Sequence, residues 1–338
     1  MELQTLWFFI WGLLWAIFFI TDGFDFGVGA LSPFLAKTEK EKRVVLNSLG
    51  PLWDGNEVWL ITAGGVTFAA FPTVYAVMFS SLYSALMLIL FCLILRGVSF
   101  EFRHQVEDPR WKKIWDACFF LGSAIPAILF GVAFANIFKG LPIDQNGVLQ
   151  GNLLTLLNPY GLLGGILFLI LFLQHGALWL AIRTKDDLKE RSIETAQKIW
   201  PVLVAAIVIF LIATAFSTPL YANYLKHPAL FLILAAAVMG LLGVKRYLNQ
   251  GAYFKAWFAS ALTIACATFF GVAGLYPNLF PSSIDPAYSL SAFNASSSPL
   301  TLKIMLGVVL VFIPVVIGYQ VWAYTLFKDK VHENELTY

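Results

Sequence analysis

Residues 22–29 read DGFDFGVG, and they continue an apolar run, LWFFIWGLLWAIFFIT, that occupies residues 6–21. Asp22 and Asp25 are three residues apart, so they share one face of a helix. Charged side chains inside a membrane are costly, usually face the interior of a helix bundle, and often mark ion or proton pathways. This stretch therefore predicts a membrane-spanning helix whose two carboxylates have partners on other helices.

The composition of the whole chain is typical of a multi-pass membrane protein. Of its 338 residues, 59% are hydrophobic and 12% are charged, whereas soluble domains carry about 25% charged residues. The mean hydropathy is +0.77, and the net charge of +2 argues against a nucleic-acid partner. The first apolar run lacks basic residues before it and a small-residue cleavage site after it, so we expect a spanning helix and no cleaved signal.

Apolar runs long enough to cross a bilayer define the predicted fold class. A helix needs about 20 apolar residues to cross a hydrocarbon core of roughly 30 Å. By this criterion residues 1–338 are expected to form a single polytopic, all-α membrane domain with nine spanning helices. The predicted spans are Leu6–Leu35, Leu52–Phe71, Thr73–Leu95, Trp115–Phe138, Pro159–Ile182, Trp200–Leu220, Ala229–Val244, Ala256–Tyr276 and Leu302–Phe327.

Lysine and arginine residues concentrate in alternate connections between these spans. They follow the first, third, fifth, seventh and ninth spans, whereas the opposite connections contain only Lys139 and Lys226. Because basic residues accumulate on the cytoplasmic side of a membrane, the N-terminus is expected outside and the C-terminus in the cytoplasm.

Four carboxylates and one arginine are predicted to lie at a similar depth near the cytoplasmic side. Asp22 and Asp25 lie roughly 24–28 Å along the first span from its outer end. Asp54 and Glu57 are in the first turns of the second span, and Arg96 is near the inner end of the third. Because short connections favour packing of consecutive helices, these five side chains are expected to converge.

Such a layer is compatible with three functions. It suits a proton path, the Na⁺ or H⁺ site of a cation-coupled secondary transporter, or a set of interhelical pins in a structural scaffold. Asp54, at a helix start, is also suited to cap backbone amides. Residue spacing alone leaves these alternatives open.

Histidine is scarce in the predicted spans. Among the four histidines, only His175 lies within a span, while His104 and His332 are predicted in cytoplasmic segments and His227 in an outer connection. Haems in membrane proteins usually take His or Met as axial ligands. We therefore expect this chain to ligate no haem and no metal ion through its own side chains.

Six motifs, in order along the chain, resemble subunit II of the cytochrome bd-type quinol oxidases, including the cyanide-insensitive relatives. They are TDGFDFGVG, NSLGPLWDGNEVWLITAGG, GVSFEFR, GVAFAN, NPYGLLGG and SSSPLTLKIM. The resemblance extends from Leu6 to about Lys328. It implies two four-helix bundles plus one peripheral helix.

The resemblance also implies an activity, cofactors and partners. It implies a terminal oxidase of the bacterial cytoplasmic (inner) membrane that oxidises quinol near the outer face and reduces O₂ to water. The implied partner is the haem-bearing subunit I, in a heterodimer, with two b-type haems and one d-type haem or its b-type substitute. Small accessory single-span subunits, and a structural quinone or lipid bound to this chain, are further possibilities that the resemblance leaves open.

The same resemblance implies roles for four of the charged residues. Asp54 matches an aspartate proposed to start a proton path toward haem d. Asp25 and Asp22 resemble the acids that flank this path, and Arg96 matches the arginine at the end of the third span.

Three further positions, one aromatic and two polar, complete the implied assignments. Trp59 matches a tryptophan on a lateral O₂ route in some relatives. Glu57 and His175 stand where some relatives carry Gln, so a proton-carrying role for Glu57 is open and a catalytic role for His175 is disfavoured.

Overall fold

The computed structural model describes residues 2–331 of the chain. His332, which the sequence places in a cytoplasmic segment, lies outside the described residues. The α-helices, numbered in chain order, are α1 (Leu3–Leu35), α2 (Glu39–Leu49), α3 (Trp53–Ala70), α4 (Pro72–Ser81), α5 (Tyr83–Phe102), α6 (Pro109–Lys139), α7 (Leu153–Leu156), α8 (Pro159–Arg183), α9 (Asp186–Ser217), α10 (Tyr221–Lys226), α11 (Phe231–Asn249), α12 (Tyr253–Leu275) and α13 (Pro299–Leu326). Two short strands, β1 (Asn278–Phe280) and β2 (Leu290–Ser291), pair antiparallel.

The predicted all-α membrane class is confirmed. In the part of the chain that the structure describes, eight helices are long and apolar enough to cross a membrane; they are α1, α5, α6, α8, α9, Pro228–Asn249 (which includes α11), α12 and α13. Helix α3 matches the predicted second span within one residue at each end. It is absent from the eight because Asp54, Asn56 and Glu57 lower its hydropathy. The nine-span count and the orientation stay predictions.

The predicted third span, Thr73–Leu95, is wrong in its bounds and its continuity. The segment is divided between α4 and α5, and Leu82 between them has φ −98° and ψ 11°, outside the helical region. A serine pair immediately precedes Leu82, and serine is a weaker helix former than the leucine, methionine and alanine common in this run. The buried hydroxyl of Ser81 has no hydrogen-bond partner among the described residues, so it does not compete for backbone hydrogen bonds here. The long helix starts at Tyr83 and continues to Phe102.

Helix α2 was not among the predicted elements because it is too polar to count as a span. Its start has a capping box, in which the Thr38 hydroxyl accepts from the Glu41 amide and the Glu41 carboxylate accepts from the Thr38 amide. The sequence TEKE at 38–41 carries this signal. Arg191 of α9 donates to the carbonyl of Leu35 and to the Glu41 carboxylate, and so fixes α2 against the end of α1.

Ion pairs join the ends of several helices on one face of the molecule. We call this face the basic side and define it by Lys42, Arg103 and Arg191. The buried guanidinium of Arg103 donates to both carboxylate oxygens of Glu39, at 2.8 and 2.9 Å, and to Asp116 at 2.6 Å. These bonds connect α2, α5 and α6.

The Glu39 pair gives a pH-dependent contribution to stability. Hydrogen bonds from Arg103 lower the pKa of Glu39 below its ordinary value. The contribution is therefore complete above about pH 4.3, the ordinary pKa of Glu, and is lost as the pH falls through the lowered value. We expect the Glu39→Gln variant to lose less thermal stability than wild type between pH 5 and pH 3, as measured by unfolding in detergent. Parallel curves for the two proteins would contradict this.

Helix α1 lies at the centre of the fold and packs against α3, α6, α8 and α12. A Cβ atom on Gly27 would overlap the carbonyl oxygen of Phe172 on α8. A Cβ on Gly176, also of α8, would come within 2.5 Å of the Gly27 backbone. The small residues that follow Asp22 and Asp25 therefore let α1 and α8 approach at backbone distance, as is common in membrane bundles.

The connections 139–158 and 277–300 meet on the opposite face, which we call the loop side. The amide of Leu141 donates to the carbonyl of Pro281 at 3.0 Å, and the amide of Ser283 donates to the carbonyl of Leu141 at 2.9 Å. The Ser282 hydroxyl donates to the carbonyl of Ile143. These bonds make the second connection an ordered loop, in line with its Pro- and Ser-rich sequence.

Helix α13 lies at the edge of the bundle. Among its residues only Leu302 is buried, although the helix is apolar almost throughout. It contacts α1 and α3. The arrangement that the resemblance implies, two four-helix bundles plus one peripheral helix, stays a prediction.

Candidate functional site

A buried ion pair joins α1 to α5. The side chains of Asp22 and Arg96 are 0% and 1% exposed. Nη2 of Arg96 donates to Oδ1 of Asp22 at 2.8 Å and to Oδ2 at 3.0 Å. The guanidinium carbon lies 4.4 Å from the ring centre of Phe26, one turn along α1 from Asp22. One helix thus supplies both an opposite charge and a cation–π contact to Arg96.

Two further carboxylates lie close to this pair. Oε1 of Glu57 on α3 is 3.6 Å from Nη2 of Arg96, and its side chain is 22% exposed. Asp25, fully buried one turn along α1 from Asp22, accepts a hydrogen bond on Oδ2 from Nδ2 of Asn56 at 2.9 Å. We call Asp22, Asp25, Glu57 and Arg96 the carboxylate cluster.

The cluster contains three carboxylates and one guanidinium. Within residues 2–331, Oδ1 of Asp25 and the Nε and Nη1 atoms of Arg96 have no hydrogen-bond partner. An uncompensated charge in a buried site is expensive, and neighbouring acids titrate as a unit rather than singly. Such a group can reach electrical balance by binding protons and lose it by releasing them, which is the chemistry a proton relay needs.

Asp54 lies apart from this cluster. Its side chain is exposed, and it makes no hydrogen bond or ion pair with the other described residues. It belongs to an outward stripe of α3 that continues through Val58, Ile61 and Phe68 at helical spacing. The structure therefore brings together four of the five charged residues expected to converge, and leaves Asp54 one turn before Glu57 on the surface.

Trp59 is packed inside the protein, with 3% of its surface exposed. Its Nε1–H donates to Oε1 of Gln320 on α13 at 3.0 Å. Nε2 of the same Gln320 donates to the carbonyl of Gly55 at 2.9 Å. The indole is thereby fixed between α3 and α13.

The sequence reasoning missed three polar residues that bond the cluster, Trp59 or one another. Asn56 bonds Asp25, and its Oδ1 accepts from the Tyr324 hydroxyl at 2.6 Å. Gln320 and Tyr324 are four residues apart, so they lie on one face of α13. The signal was available, because an amide and a phenol in the apolar run VVIGYQVWAYTL are unusual in a lipid-facing helix.

His175 does not fit a haem axial ligand in this structure. Its Nε2 lies 3.1 Å from the carbonyl of Ile20, which can only accept, so Nε2 donates and Nδ1 accepts from the Ser260 hydroxyl, also at 3.1 Å. The ring stacks on Trp257 with 4.8 Å between the ring centres. Both nitrogens are thus engaged, and residues 2–331 contain no group of three His, Cys, Asp or Glu side chains placed to hold a metal ion.

An apolar cavity of about 650 Å³ lies between α1, α3, α4, α5 and α6. Its walls include Trp11, Trp15, Leu60, Met78 and Phe134. Cavities of this size and lining suit small apolar molecules or parts of larger ones. It begins one residue beyond Trp59 along α3.

Comparison with known proteins gives consistent matches over the whole chain. Residues 3–327 match the family model described as cytochrome bd terminal oxidase subunit II. The chain is 37% identical over 340 residues to the cytochrome bd ubiquinol oxidase subunit 2 of Bacillus subtilis (strain 168), covering 100% of this chain and 99% of the relative. It is 36% identical over 370 residues to the cytochrome bd-I ubiquinol oxidase subunit 2 of Escherichia coli (strain K12), covering 99% and 96%.

A solved structure shares the fold. The bd oxidase structure from Geobacillus thermodenitrificans contains a chain that matches with a TM-score of 0.80, covering 97% of this chain and 99% of that one. The sequence identity in this match is 15%, so the likeness bears on fold alone.

Proposed function

Since the chain belongs to the cytochrome bd terminal oxidase subunit II family, we propose that it is the haem-free subunit of a quinol:O₂ oxidoreductase in the bacterial inner membrane. Its partner is a haem-bearing subunit I that carries two b-type haems and one d-type haem. Quinol and O₂ are the substrates of the heterodimer, and small accessory single-span subunits complete it. The engagement of both His175 nitrogens supports the assignment of the haems to the partner.

The topology we propose has nine spans, with α3 as the span that adds to the eight apolar helices. Eighteen residues of α3 extend about 27 Å at 1.5 Å per residue, close to the thickness of a bilayer core. With the N-terminus outside, the basic side faces the cytoplasm and the loop side faces out, in agreement with the distribution of Lys and Arg. Residues 1–338 then form one polytopic domain.

The carboxylate cluster is the observation that carries the functional proposal. Reduction of O₂ to water consumes protons, and in this topology the cluster lies between the basic side and the membrane interior. We assign Asp54 as the exposed entrance, Glu57 as the half-buried step one turn deeper, and Asp25 as the buried carrier. Asp22, paired with Arg96, holds the local charge balance and flanks the path.

The apolar side of α3 supports two smaller assignments. We assign Trp59 to the border of a route for O₂, because Leu60, the next residue along α3, lines the apolar cavity while the Trp59 indole is held by Gln320 of α13. The cavity itself, at about 650 Å³, has room for the ring or part of the tail of a structural quinone, or for a lipid acyl chain. Membrane lipids cover the remaining apolar faces.

The decisive experiment measures O₂ consumption by the co-expressed complex together with its reduced-minus-oxidised visible spectrum. We expect Asp25→Asn to lower quinol-driven O₂ consumption by roughly tenfold or more, because proton transfer by a positioned side chain commonly contributes at least this much. Asp54→Asn should lower the rate in the same direction. The haem spectrum of both variants should match wild type.

A surface carboxylate on the same side provides the matched control. Asp187, exposed in the first turn of α9, should tolerate Asp187→Asn with no change in rate. Full activity of Asp25→Asn and Asp54→Asn would show that these carboxylates have a structural role and carry no protons. The transporter alternative is not favoured by a family match that spans residues 3–327; a haem-free chain that moves Na⁺ in liposomes would revive it.

A further inference from the structure

Three side chains from three helices form a hydrogen-bonded series that ends at Asp25, the buried carboxylate proposed to carry protons. The Tyr324 hydroxyl on α13 donates to Oδ1 of Asn56 at 2.6 Å, and Nδ2 of Asn56 on α3 donates to Oδ2 of Asp25 on α1 at 2.9 Å. Asn56 is 0% exposed. Its amide therefore has no water-facing alternative, and its orientation is decided by its two protein neighbours.

The two ends of an amide are chemically unequal. The NH₂ group only donates and the carbonyl oxygen only accepts. With NH₂ toward Asp25, Asn56 stabilises the ionised carboxylate. With the amide turned by 180°, its oxygen would accept from a protonated Asp25. The orientation of one amide thus selects which form of Asp25 is favoured.

The phenol of Tyr324 is held so that it selects the first orientation. Its ring contacts Phe24 and Trp179 with centre distances of 6.5 and 6.1 Å. One turn earlier on α13, Gln320 donates to the carbonyl of Gly55, the residue before Asn56. These contacts direct the hydroxyl at Oδ1 of Asn56. A phenol can also accept, but with the amide turned the Tyr324 O–H would lose Oδ1, and the described residues offer it no other acceptor. The orientation with NH₂ facing Asp25 is therefore the favoured one.

The other charged groups around Asp25 do not replace this contact. Asp22, one turn back on α1, is a like charge, and Glu57 on α3 is another. Arg96 on α5 directs its two shortest bonds at Asp22. His175 on α8 bonds the Ile20 carbonyl and Ser260.

We propose that Asn56, oriented by the Tyr324 hydroxyl, is a positioning residue that keeps Asp25 in its proton-accepting form. The inference rests on the proton path assigned to Asp25 above. It adds that α13, the helix at the edge of the bundle, influences the protonation of Asp25 through the Tyr324 hydroxyl. Neither Asn56 nor Tyr324 itself has to carry a proton.

Tyr324→Phe is the direct test, because it keeps the ring and removes only the hydroxyl. Without that donor the amide can turn, and Asp25 retains its proton to higher pH. We expect the acid limb of the pH profile of O₂ consumption to move up by about one pH unit, since hydrogen bonds to a charged group are worth that much or more. At alkaline pH the rate should equal that of wild type, with an unchanged haem spectrum.

Tyr319→Phe is the matched control, because Tyr319 is exposed on the same helix; its profile should overlie wild type. Asn56→Leu should shift the limb in the same direction, and the double variant with Tyr324→Phe should shift it no further, because both changes act through one amide. A Tyr324→Phe profile that overlies wild type, or that falls equally at every pH, would overturn the proposal.

Infrared difference spectra separate this inference from the proton path itself. The carbonyl stretch of protonated carboxyl groups in the intact complex should titrate at higher pH in Tyr324→Phe, and the shifted component should vanish in Asp25→Asn. If Asp25→Asn respires at the wild-type rate, the proton path fails, but the infrared shift still reports whether Tyr324 controls the proton on Asp25. An unshifted infrared band, with Asp25→Asn inactive, rejects the role of Asn56 and Tyr324 alone.

Discussion

Arg96→Met is expected to abolish accumulation of the assembled complex. The substitution keeps much of the side-chain volume but leaves Asp22 buried without its counter-ion. Removing one partner of a buried ion pair costs about 3–5 kcal/mol, and loss of the contact with Phe26 adds about 0.5–2 kcal/mol. The sum approaches the whole stability of many proteins, about 5–15 kcal/mol. Immunoblots of membranes and the visible spectrum of extracts measure the outcome.

Two companion variants show that charge, and not shape alone, is responsible. Arg96→Lys keeps the positive charge and loses the planar geometry that reaches both oxygens of Asp22, so intermediate accumulation is expected. Adding Asp22→Asn to Arg96→Met removes the orphaned charge and should restore part of the complex. Wild-type accumulation of Arg96→Met alone would show that the ion pair is dispensable for folding.

Gly27→Ala is expected to have the second-largest effect. The added Cβ would meet the carbonyl oxygen of Phe172, and this neighbour is backbone, so no side-chain rotation can relieve the clash. Overpacking commonly costs about 1–3 kcal/mol, and here α1 and α8 must separate along their contact. We expect a marked fall in the unfolding temperature of the detergent-solubilised complex, with reduced haem content.

Gly65→Ala is the natural comparison for this variant. Gly65 lies in the middle of α3, and a Cβ there would meet no heavy atom within 4 Å. Alanine is the better helix former by about 1 kcal/mol, so its unfolding temperature should equal or slightly exceed that of wild type. Equal unfolding temperatures for Gly27→Ala and Gly65→Ala would disprove the close approach of α1 and α8.

The spanning helices were predictable where hydrophobic length alone decides them. Helices α1, α8 and α12 follow their apolar runs within a few residues. The break at Leu82 was not predictable from hydropathy, because both sides of it are apolar. The helix is interrupted there at a buried leucine with non-helical backbone angles, and a hydropathy window does not measure backbone geometry.

The candidate site was predictable in its charges and not in its neutral members. Depth along the helices brought Asp22, Asp25, Glu57 and Arg96 to one layer, but depth says nothing about which way a side chain points around its helix axis. Depth therefore did not predict that the Asp54 side chain faces outward. Tyr324 was missed because its contact with Asn56 spans 268 residues, and no local pattern encodes such a pairing.

The bond between Asn56 and Tyr324 also has a consequence for biosynthesis. The ribosome delivers α3 to the membrane long before α13 is translated. Asn56 can therefore bond the Tyr324 hydroxyl only after α13 has inserted. A chain interrupted earlier retains a buried amide with one end unmatched, at a place where an unmatched polar group is costly. An unfinished subunit therefore differs chemically from a finished one beside Asp25, at the position where the proposed proton transfer would occur.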